Sequence, residues 1–370
     1  MNRILLIKPI GKNKEITGGV HVNNSIQKIL TQIFGYDNVE VCEVEYYSSK
    51  FITFFYSLLG FCDGLTSRKL SYIKRKAINF DFIFISTIKY GKILKYIKKT
   101  KTKTIVFAHN FESDFVRQYI NSMSYMKKLF YLPLKYATKN NEKVALKKVD
   151  YFCTLNLRDS NLYFKNMRRQ ADIFLPISFS DKFNEIEYER YLKEKIEPYL
   201  LFIGSDFFGN TEGLFWFIEN VLDSIDIRLI VCGSGMDKYK QKYNSKKITF
   251  LGYVEDLNKL YYQATAVVLP ILSGGGMKTK LAESLMYGKT IFGTPEAFEG
   301  YDLEYDKVGG LCINATDFIN KINNYISNKD EKMNSYSRNV FKQKYEITKN
   351  IDNLRKMLLN DKGEYIENNL

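Results

Sequence analysis

A glycine-rich turn followed by two lysines is the part of this sequence with the clearest chemistry. Residues 273–276 are Ser-Gly-Gly-Gly and follow an apolar run, and Lys278 and Lys280 stand in the opening turns of a predicted helix. The glycines permit a close approach to the backbone, and a helix N-terminus offers free amide hydrogens and a positive dipole end. Because lysines are unfavourable for that dipole unless an anion binds, the pattern favours a diphosphate site over a solvated glycine turn.

Glu283 lies three residues beyond Lys280, on the same face of the predicted helix one turn later. A carboxylate at this place can accept hydrogen bonds from a ribose diol. The alternative is a local ion pair of Glu283 with Lys280, which would give the glutamate no role in binding.

The two histidines of the chain both follow predicted strands, where functional residues of open parallel sheets usually lie. His109 is followed by Asn110 and Glu112, so an imidazole and a carboxylate suited to acid–base chemistry stand close together in sequence. His21 follows a Gly-Gly pair in the loop after the first predicted strand. The alternative is a structural role, which at His21 means a glycine turn with an incidental histidine.

The elements that position these residues are indicated by short apolar runs that alternate with longer amphipathic segments. This alternation is typical of parallel sheets with crossover helices. Strands are predicted near residues 3–8, 39–44, 82–85, 104–108, 151–154 and 173–175, and again near 199–204, 227–232, 248–251, 266–269, 290–292 and 311–313. We therefore expect an α/β protein with two Rossmann-like parallel-sheet domains that face each other across a cleft.

The predicted domain boundaries follow from a polar, acidic stretch at 178–198 that separates the two sets of strands. The N-terminal domain is expected over residues 1–180 and the C-terminal domain over 181–345. Residues 346–370 are expected to form a helix that packs back on the N-terminal domain.

The positive charge is concentrated in the N-terminal half. Residues 1–180 contain 30 Lys/Arg and 13 Asp/Glu, a net charge of +17, whereas the whole chain has +14. A basic half of this kind could bind a nucleic acid, an anionic membrane surface or a phosphorylated substrate, and charge alone does not distinguish these partners.

Other classes of protein are excluded by composition. The 45% hydrophobic content excludes intrinsic disorder. No run approaches the ~20 apolar residues of a membrane span. The five cysteines are dispersed without metal-ligand spacing or a disulfide framework, so we expect a reducing, cytoplasmic compartment and no metal site.

The second half resembles the donor domain of the GT-B glycosyltransferases, in particular the family-four (glycosyl transferases group 1) enzymes. The matching stretches are, in chain order, 202–205 with Asn210, 231–235, 251–254, the glycine–lysine–glutamate stretch and 294–302. Many members carry two glutamates eight residues apart. Glu283 matches the second, whereas Gly275 stands at the first, as in a related subgroup with a glycine-rich turn and a lysine.

This resemblance implies a hexosyltransferase-type enzyme that moves a sugar from a nucleoside diphosphate sugar, of UDP or GDP type, to an acceptor hydroxyl. It implies retention of the anomeric configuration, with no obligatory metal and no cofactor besides the donor. It assigns donor contacts to Gly18, Gly19, Gly204, Ser205, Asn210, Gly233, Tyr253, Val254, Gly274, Gly275, Gly276, Met277, Lys278, Lys280 and Glu283.

The catalytic residues that the resemblance implies lie in the first half. His109 would bind the transferring sugar or position the acceptor hydroxyl, and Glu112 would orient His109 or act as an acid or base. His21 and Asn110 would lie on the acceptor side.

The acceptor is expected on the N-terminal domain. Its charge, the apolar run 51–62 and the aromatic and basic segment 119–148 suit a lipid-diphosphate acceptor at an anionic membrane. The hypothesis is a cytoplasmic enzyme, peripheral on the inner membrane face, of cell-surface polysaccharide or glycolipid assembly. The alternative is a solvated lysine-rich exterior with residues 51–59 in the core.

Two other functions fit parts of the sequence. A nucleotide-sugar epimerase could use the same two-domain scaffold, although the scarcity of histidine argues mildly against paired acid and base groups. A nucleic-acid-binding protein could use the basic half, but no recognition-helix or aromatic sheet motif supports it, so we expect no nucleic-acid partner.

Overall fold

Two six-stranded parallel sheets organise this chain, each in its own unit. The computed structural model describes residues 2–10, 18–97, 101–328 and 333–360. Unit 1 comprises Met1–Pro176 and Ile347–Leu370, and unit 2 comprises Ile177–Glu346. The predicted α/β class with two parallel sheets is confirmed.

Unit 1 alternates strands and helices around a sheet of order β2-β1-β3-β4-β5-β6. Its strands are β1 (Ile4–Ile10), β2 (Val39–Glu45), β3 (Phe82–Ile85), β4 (Lys103–Ala108), β5 (Tyr151–Thr154) and β6 (Ile173–Phe174). Its α-helices are α1 (Gly18–Phe34), α2 (Lys50–Leu58), α3 (Ser67–Ala77), α4 (Glu112–Asn121), α5 (Tyr125–Lys148) and α6 (Leu157–Met167). Short 3-10 helices span Tyr36–Asn38 and Ile88–Lys95.

Helices cover both faces of this sheet, which explains why its central strands are continuous apolar runs. All four residues of β3 are buried, and so are the first five residues of β1. Strands β1 and β4 flank β3 on either side in parallel register. The segments that follow β3 and β4 therefore leave the sheet at the same edge.

The last helix of the chain, α15 (Ile347–Asn360), belongs to unit 1. Its apolar residues Ile351 and Leu354 are buried, and Asn350 Nδ2 donates a hydrogen bond to Pro176 O at 2.7 Å. Helix α15 also contacts α1 and β6.

Unit 2 repeats the alternation around a sheet of order β12-β11-β10-β7-β8-β9. Its strands are β7 (Tyr199–Ile203), β8 (Arg228–Cys232), β9 (Ile248–Gly252), β10 (Ala266–Leu269), β11 (Ile291–Gly293) and β12 (Gly309–Leu311). Its α-helices are α7 (Glu185–Leu192), α8 (Phe208–Asn220), α9 (Asn258–Gln263), α10 (Thr279–Met286), α11 (Pro295–Phe298), α12 (Tyr305–Val308), α13 (Ala315–Ser327) and α14 (Ser335–Val340). Short 3-10 helices span Leu222–Ser224 and Met236–Tyr239, and a π-helical turn spans Phe341–Tyr345.

Strand β12 begins two residues before its predicted start. It includes Gly309 and Gly310, although glycine has a low propensity for β-strands. A Cβ at Gly309 would lie 2.5 Å from the Ile291 carbonyl oxygen on β11. The backbones of β11 and β12 approach each other so closely that position 309 has room only for glycine.

Helix α2 is not a core element, which contradicts the alternative that residues 51–59 are buried in the core. Phe51, Phe55 and Leu58 are 73%, 59% and 61% exposed. In the described part of the chain, no helix combines the length and the apolar character that crossing a bilayer requires.

Candidate functional site

Three loops of unit 2 meet at the carboxyl edge of its sheet, after β7, β8 and β9. Gly204 N donates to Cys232 O at 2.9 Å, and Gly233 N donates to Gly252 O at 2.7 Å. Gly233 has φ +155°, and a Cβ there would clash with the Gly204 carbonyl. Glycine is therefore required at 233 because the loop after β8 lies directly against the loop after β7.

Lys280 extends from α10 to this same point. Its Nζ donates to Asn210 Oδ1 at 2.6 Å and lies 3.0 Å from the place that a Gly204 Cβ would take. Asn210 Nδ2 in turn donates to Ser205 O at 2.9 Å. The structure thus brings together four of the predicted donor-binding residues, Gly204, Ser205, Asn210 and Lys280.

The charge of Lys280 is poorly compensated. Although part of the side chain is open to solvent, desolvation of the ammonium lowers the pKa of Lys280 to about 7, and repulsion from Lys278 contributes. No ion pair joins Lys280 to a carboxylate within the ranges that the structure describes. The edge of this sheet therefore holds an ammonium that lacks a counter-charge.

Lys278 has a different environment, although it precedes Lys280 by two residues. Its Nζ lies 2.8 Å from Glu296 Oε1 and donates to Gly276 O at 2.8 Å. Glu296 therefore neutralises the charge of Lys278. The hydrogen bond from Lys278 Nζ to Gly276 O closes the glycine turn on itself. Gly274 and Gly276 have φ +149° and +62°, so the backbone of this turn needs glycine.

The remaining residues of the glycine turn differ in burial. Met277 is 6% exposed, whereas Gly275 is half-buried. Met277 consequently packs into unit 2, and the open side of the turn is formed by glycine backbone.

The first turns of α8 and α10 also lie at this edge. No side chain caps either helix, and the first turn of α10 has no acidic residue. Phe207 occupies the N-cap position of α8, and Thr211 lies inside the first turn of the helix. Uncapped helix N-termini beside Lys280 favour an anionic ligand.

Glu283 does not form the ion pair with Lys280 that the sequence left open. Its Oε2 accepts a hydrogen bond from Tyr261 OH at 3.0 Å, and burial raises the pKa of the Glu283 carboxyl. The Tyr261 ring stacks on Tyr287 with centroids 4.6 Å apart. A packed pair of aromatic rings therefore fixes the position of Glu283.

Tyr253 and Val254 follow β9 at the same edge. Tyr253 is 64% exposed, and the backbone of Val254 hydrogen-bonds to the Cys232 thiol. The Val254 contact holds the turn against β8, while the Tyr253 side chain is left open to solvent.

His109 follows β4 in unit 1. Burial, and to a smaller extent the charge of nearby Lys89, lower the pKa of His109 to about 3, against the opposing effect of a hydrogen bond to the backbone of Ser86. The imidazole is therefore neutral at pH 7. Its Nε2 has no hydrogen-bond partner among the residues that the structure covers, and its ring packs edge-on against Phe107 at 4.9 Å.

Glu112 contacts Lys89 and Asn110 rather than His109. Its Oε2 lies 3.3 Å from Lys89 Nζ, and its Oε1 accepts from Asn110 Nδ2 at 3.3 Å. Lys89 also pairs with Asp63 at 2.9 Å. The hypothesis that Glu112 orients His109 is therefore not supported by a direct hydrogen bond between them.

Lys89 and Glu142, which were not predicted from the sequence as site residues, surround the loop of His109. Glu142 accepts hydrogen bonds from Ser113 N at 3.0 Å, from Tyr163 OH at 2.9 Å and from Ser113 Oγ. Burial raises the pKa of Glu142 to about 7. Lys89 follows β3 by four residues and so was detectable from the loops at the strand ends, whereas Glu142 in the middle of α5 had no such signal.

Gly18 and Gly19 lie in the first turn of α1 rather than in a loop before it. Both are exposed, and His21, two residues further into the helix, has its Nε2 3.3 Å from Ser25 Oγ. The loop expected here, residues 11–17, lies outside the described residues.

Residues 197–328 match the family model described as glycosyl transferases group 1. No curated protein matches the chain in sequence. This match confirms the predicted resemblance of the second half.

Three solved structures with similar folds each align with nearly the whole chain. HepE (Alr3699) of Anabaena in complex with UDP is 13% identical, with 97% of this chain and 100% of that chain covered and a TM-score of 0.68. Sucrose-phosphate synthase (tll1590) of Thermosynechococcus elongatus is 13% identical, with 98% and 100% covered and a TM-score of 0.72. WaaG, a glycosyltransferase involved in lipopolysaccharide biosynthesis, is 13% identical, with 96% and 99% covered and a TM-score of 0.63. These likenesses show that the chain has the GT-B fold.

Proposed function

We propose, from the premise that residues 197–328 belong to the glycosyl transferases group 1 family, that this chain is a nucleotide-sugar-dependent glycosyltransferase. It moves a sugar from a nucleoside diphosphate sugar to an acceptor hydroxyl. The donor binds at the carboxyl edge of the unit 2 sheet, around Lys280 and the loops after β7, β8 and β10.

The observation that carries this proposal is the uncompensated ammonium of Lys280. A desolvated cation with a pKa near 7 is costly to the folded protein. A diphosphate supplies the missing negative charge and returns the lysine to its charged form. Asn210 holds Nζ beside the loops after β7 and β8, at 2.6 Å from its Oδ1.

The chemistry at this edge follows from where charge develops. When the bond between the anomeric carbon and the diphosphate breaks, the electron pair goes to the departing diphosphate. Lys280 and the uncapped first turns of α8 and α10 are already oriented toward that charge and need little reorganisation. Lys278, paired with Glu296, acts mainly on the shape of the glycine turn.

The other donor contacts follow from their places at the same edge. The phosphates lie against the backbone of the small-residue loops, which are Gly204, Ser205, Gly233 and Gly274 to Met277. Glu283 accepts the ribose hydroxyls, and the backbone of Tyr253 and Val254 contacts the nucleobase.

Unit 1 supplies the groups that act on the sugar and the acceptor. His109 is neutral, and its Nε2 is available to accept a hydrogen bond from a hydroxyl. Asn110 presents the acceptor-side amide, and Glu112 holds Asn110 and Lys89 in place. Gly18, Gly19 and His21 offer the start of α1 to the donor phosphate and the acceptor.

The identity of the donor and the pathway are inferred from the solved structures with similar folds. HepE was solved with UDP and with UDP-glucose, which supports a UDP-sugar donor over a GDP-sugar. The involvement of WaaG in lipopolysaccharide biosynthesis supports a role in cell-surface polysaccharide or glycolipid assembly on the cytoplasmic side. Retention of configuration and independence of metal follow from the family resemblance alone.

The test is a panel of nucleotide sugars screened for thermal stabilisation of the chain, followed by detection of sugar transfer to a mixture of acceptors. We expect a UDP-sugar to raise the melting temperature in a concentration-dependent way. Proton NMR of the product gives the anomeric configuration, and EDTA in the assay tests the need for a metal. If no nucleotide sugar stabilises the chain, the donor site is wrongly assigned.

Incubation with the donor alone separates this proposal from epimerisation. A transferase leaves the sugar nucleotide intact or slowly hydrolyses it, whereas an epimerase converts it into an isomeric sugar nucleotide. An isomer formed without acceptor would overturn the transferase assignment.

A further inference from the structure

Glu296 brings a carboxylate to the glycine turn, although residues 273–276 themselves contain none. It stands in α11, directly after β11, and β11 is the parallel neighbour of β10, which the glycine turn follows. Both segments therefore leave the sheet at its carboxyl edge. The Oε1 atom of Glu296 lies 3.8 Å from the place that a Cβ of Gly274 would take.

Hydrogen bonds on both sides hold this carboxylate in place. Lys278 Nζ donates to Glu296 Oε1 at 2.8 Å, and the Lys278 carbonyl accepts from Tyr301 OH at 2.6 Å. The backbone before Glu296 is held by Thr294, which caps α11 and donates a hydrogen bond to Ile271 O. A carboxylate positioned in advance loses little conformational entropy when it binds a ligand.

The Glu296 carboxylate remains partly open to solvent. Its side chain is 22% exposed, whereas that of Lys278 is 11% exposed. Oε1 accepts the bond from the lysine, and Oε2 has no partner within the part of the chain that the structure describes. Because a carboxylate offers about four lone-pair sites, Glu296 can accept further hydrogen bonds from the hydroxyl groups of a ligand.

The position of Glu296 relative to α10 indicates which part of a ligand it meets. In the proposed function, on which this inference rests, Glu283 accepts the ribose and Lys280 binds the diphosphate. From Glu283 through Lys280 to Lys278, the chain runs back to the N-cap of α10, at about 1.5 Å per residue. A nucleoside diphosphate sugar has the same order of ribose, diphosphate and sugar. Its sugar therefore comes to the glycine turn, beside Glu296.

The ion pair with Lys278 makes a carboxylate compatible with a diphosphate nearby. An isolated carboxylate would repel the diphosphate, whereas the pair of Glu296 and Lys278 carries no net charge. The glycine turn thus gains a hydrogen-bond acceptor without repelling an anion. Hydroxyl groups donate to such a carboxylate in charge-assisted hydrogen bonds, which are stronger than neutral ones.

We propose that Glu296 is a binding residue for the donor sugar and accepts hydrogen bonds from its hydroxyl groups. Lys278 positions the Glu296 carboxylate, and Lys280 binds the diphosphate. The two lysines that follow the glycine turn therefore have separate tasks.

The test is isothermal titration calorimetry of the full chain with UDP and with UDP-glucose, for the wild type and for Glu296→Gln. The variant should bind UDP-glucose about tenfold more weakly, because a neutral hydrogen bond replaces a charge-assisted one. Its affinity for UDP should not fall, because UDP lacks the transferred sugar and the phosphates gain the uncompensated charge of Lys278. If Glu296 only supported the fold of the turn, both affinities would fall alike.

The matched control is Glu212→Gln, which changes the other carboxylate in contact with the glycine turn. Glu212 belongs to α8 and is exposed, and its Oε2 accepts from Ser273 Oγ at 2.7 Å. We expect the ratio of the dissociation constants for UDP-glucose and UDP to be the same in Glu212→Gln as in the wild type. Circular dichroism and the melting temperature check that both variants are folded.

The role of Glu296 is overturned, with the donor site intact, if the wild type binds both ligands and Glu296→Gln leaves the ratio of the two dissociation constants unchanged. It is also overturned if Glu212→Gln changes this ratio as much as Glu296→Gln does. A wild type that binds neither UDP nor UDP-glucose would overturn the proposed function, and the role of Glu296 with it.

Discussion

Lys280 Nζ lies 2.6 Å from Asn210 Oδ1 and has no carboxylate partner among the described residues, whereas Lys278, two residues earlier, is paired with Glu296 at 2.8 Å. One glycine turn thus presents two lysines in opposite electrostatic situations. Lys278 is neutralised within unit 2, and Lys280 is left for an anion. This difference determines which substitution should abolish nucleotide binding.

Lys280→Met should weaken UDP-sugar binding about 10- to 100-fold, since hydrogen bonds to charged groups contribute roughly 1.5–3 kcal/mol. Isothermal titration calorimetry measures the affinity. The matched control is Lys246→Met, an exposed lysine just before β9, at the opposite end of that strand. Equal affinity of Lys280→Met and wild type would contradict the donor site.

The same substitution should stabilise the free protein. The pKa of Lys280 is lowered from 10.5 to about 7, so the folded state binds fewer protons than the unfolded state between these pH values. The destabilisation by Lys280 is therefore fully present below pH 7 and fades above it. Thermal denaturation at pH 6 should give Lys280→Met a higher melting temperature than wild type, and a lower one would contradict this account.

Donor affinity should also depend on pH through Lys280. An anion favours the ammonium form, so binding is strongest below pH 7 and weakens as the free protein deprotonates above it. UDP-glucose is a suitable probe because its diphosphate does not titrate between pH 6 and 9. Calorimetry at pH 8 in buffers of different ionisation enthalpy should show proton uptake on binding, and Lys280→Met should show none.

Glu283→Gln tests the ribose contact. The glutamine still accepts the Tyr261 hydrogen bond, so the fold should be kept while the charged contact with the ribose is lost. We expect about tenfold weaker binding of UDP and no further loss for 2′,3′-dideoxy-UDP. If the loss of affinity from Glu283→Gln adds to the loss from removing the ribose hydroxyls of UDP, Glu283 does not contact the ribose.

The fold was largely predictable because buried parallel strands are continuous apolar runs. Both Phe82–Ile85 and Tyr151–Thr154 agree with their predicted bounds. The exception at β12 arose because Gly309 is selected by the closeness of two backbones, which is a tertiary constraint. Local sequence has no means of signalling such a contact.

The candidate site was predictable only as a set of loops. The glycine turn marked Lys278 and Lys280 equally, since both stand at the start of one helix. What separates them is Glu296, which is 18 residues away and reaches Lys278 only in the folded chain. Partner choice of this kind depends on packing between elements, so the sequence left the dominant lysine open.

Glu142 should give unit 1 a pH-dependent stability. Burial raises its pKa from 4.5 to about 7, so the folded state binds more protons than the unfolded state in this range, and its stability falls as pH rises from 4.5 through 7. Glu142→Gln removes this dependence. We expect hydrogen exchange of the α5 amides to show that, between pH 5 and 8, the free energy of unfolding of the variant rises by about 2 kcal/mol relative to that of the wild type. The control is a substitution at the exposed Glu255, which should not produce this change.

We expect the His109 imidazole to remain neutral at pH values well below its ordinary pKa, in part because Lys89 is nearby. Burial is the larger cause, while Lys89 repels the imidazolium form and itself pairs with Asp63 and Glu112. The chain has two histidines, so His21→Gln leaves one imidazole to follow by NMR. We expect no titration of His109 between pH 8 and 5.

Lys89→Met in the same background should raise the pKa of His109, because it removes a positive charge and leaves two carboxylates uncompensated nearby. Lys95→Met, on the same 3-10 helix but exposed, is the control and should leave the titration unchanged. His109→Gln should lower kcat about 100-fold if the imidazole holds a reacting hydroxyl. Titration of the wild-type imidazole near pH 6.5 would show that His109 is solvated and charged, and the neutral hydrogen-bonding role would then be wrong.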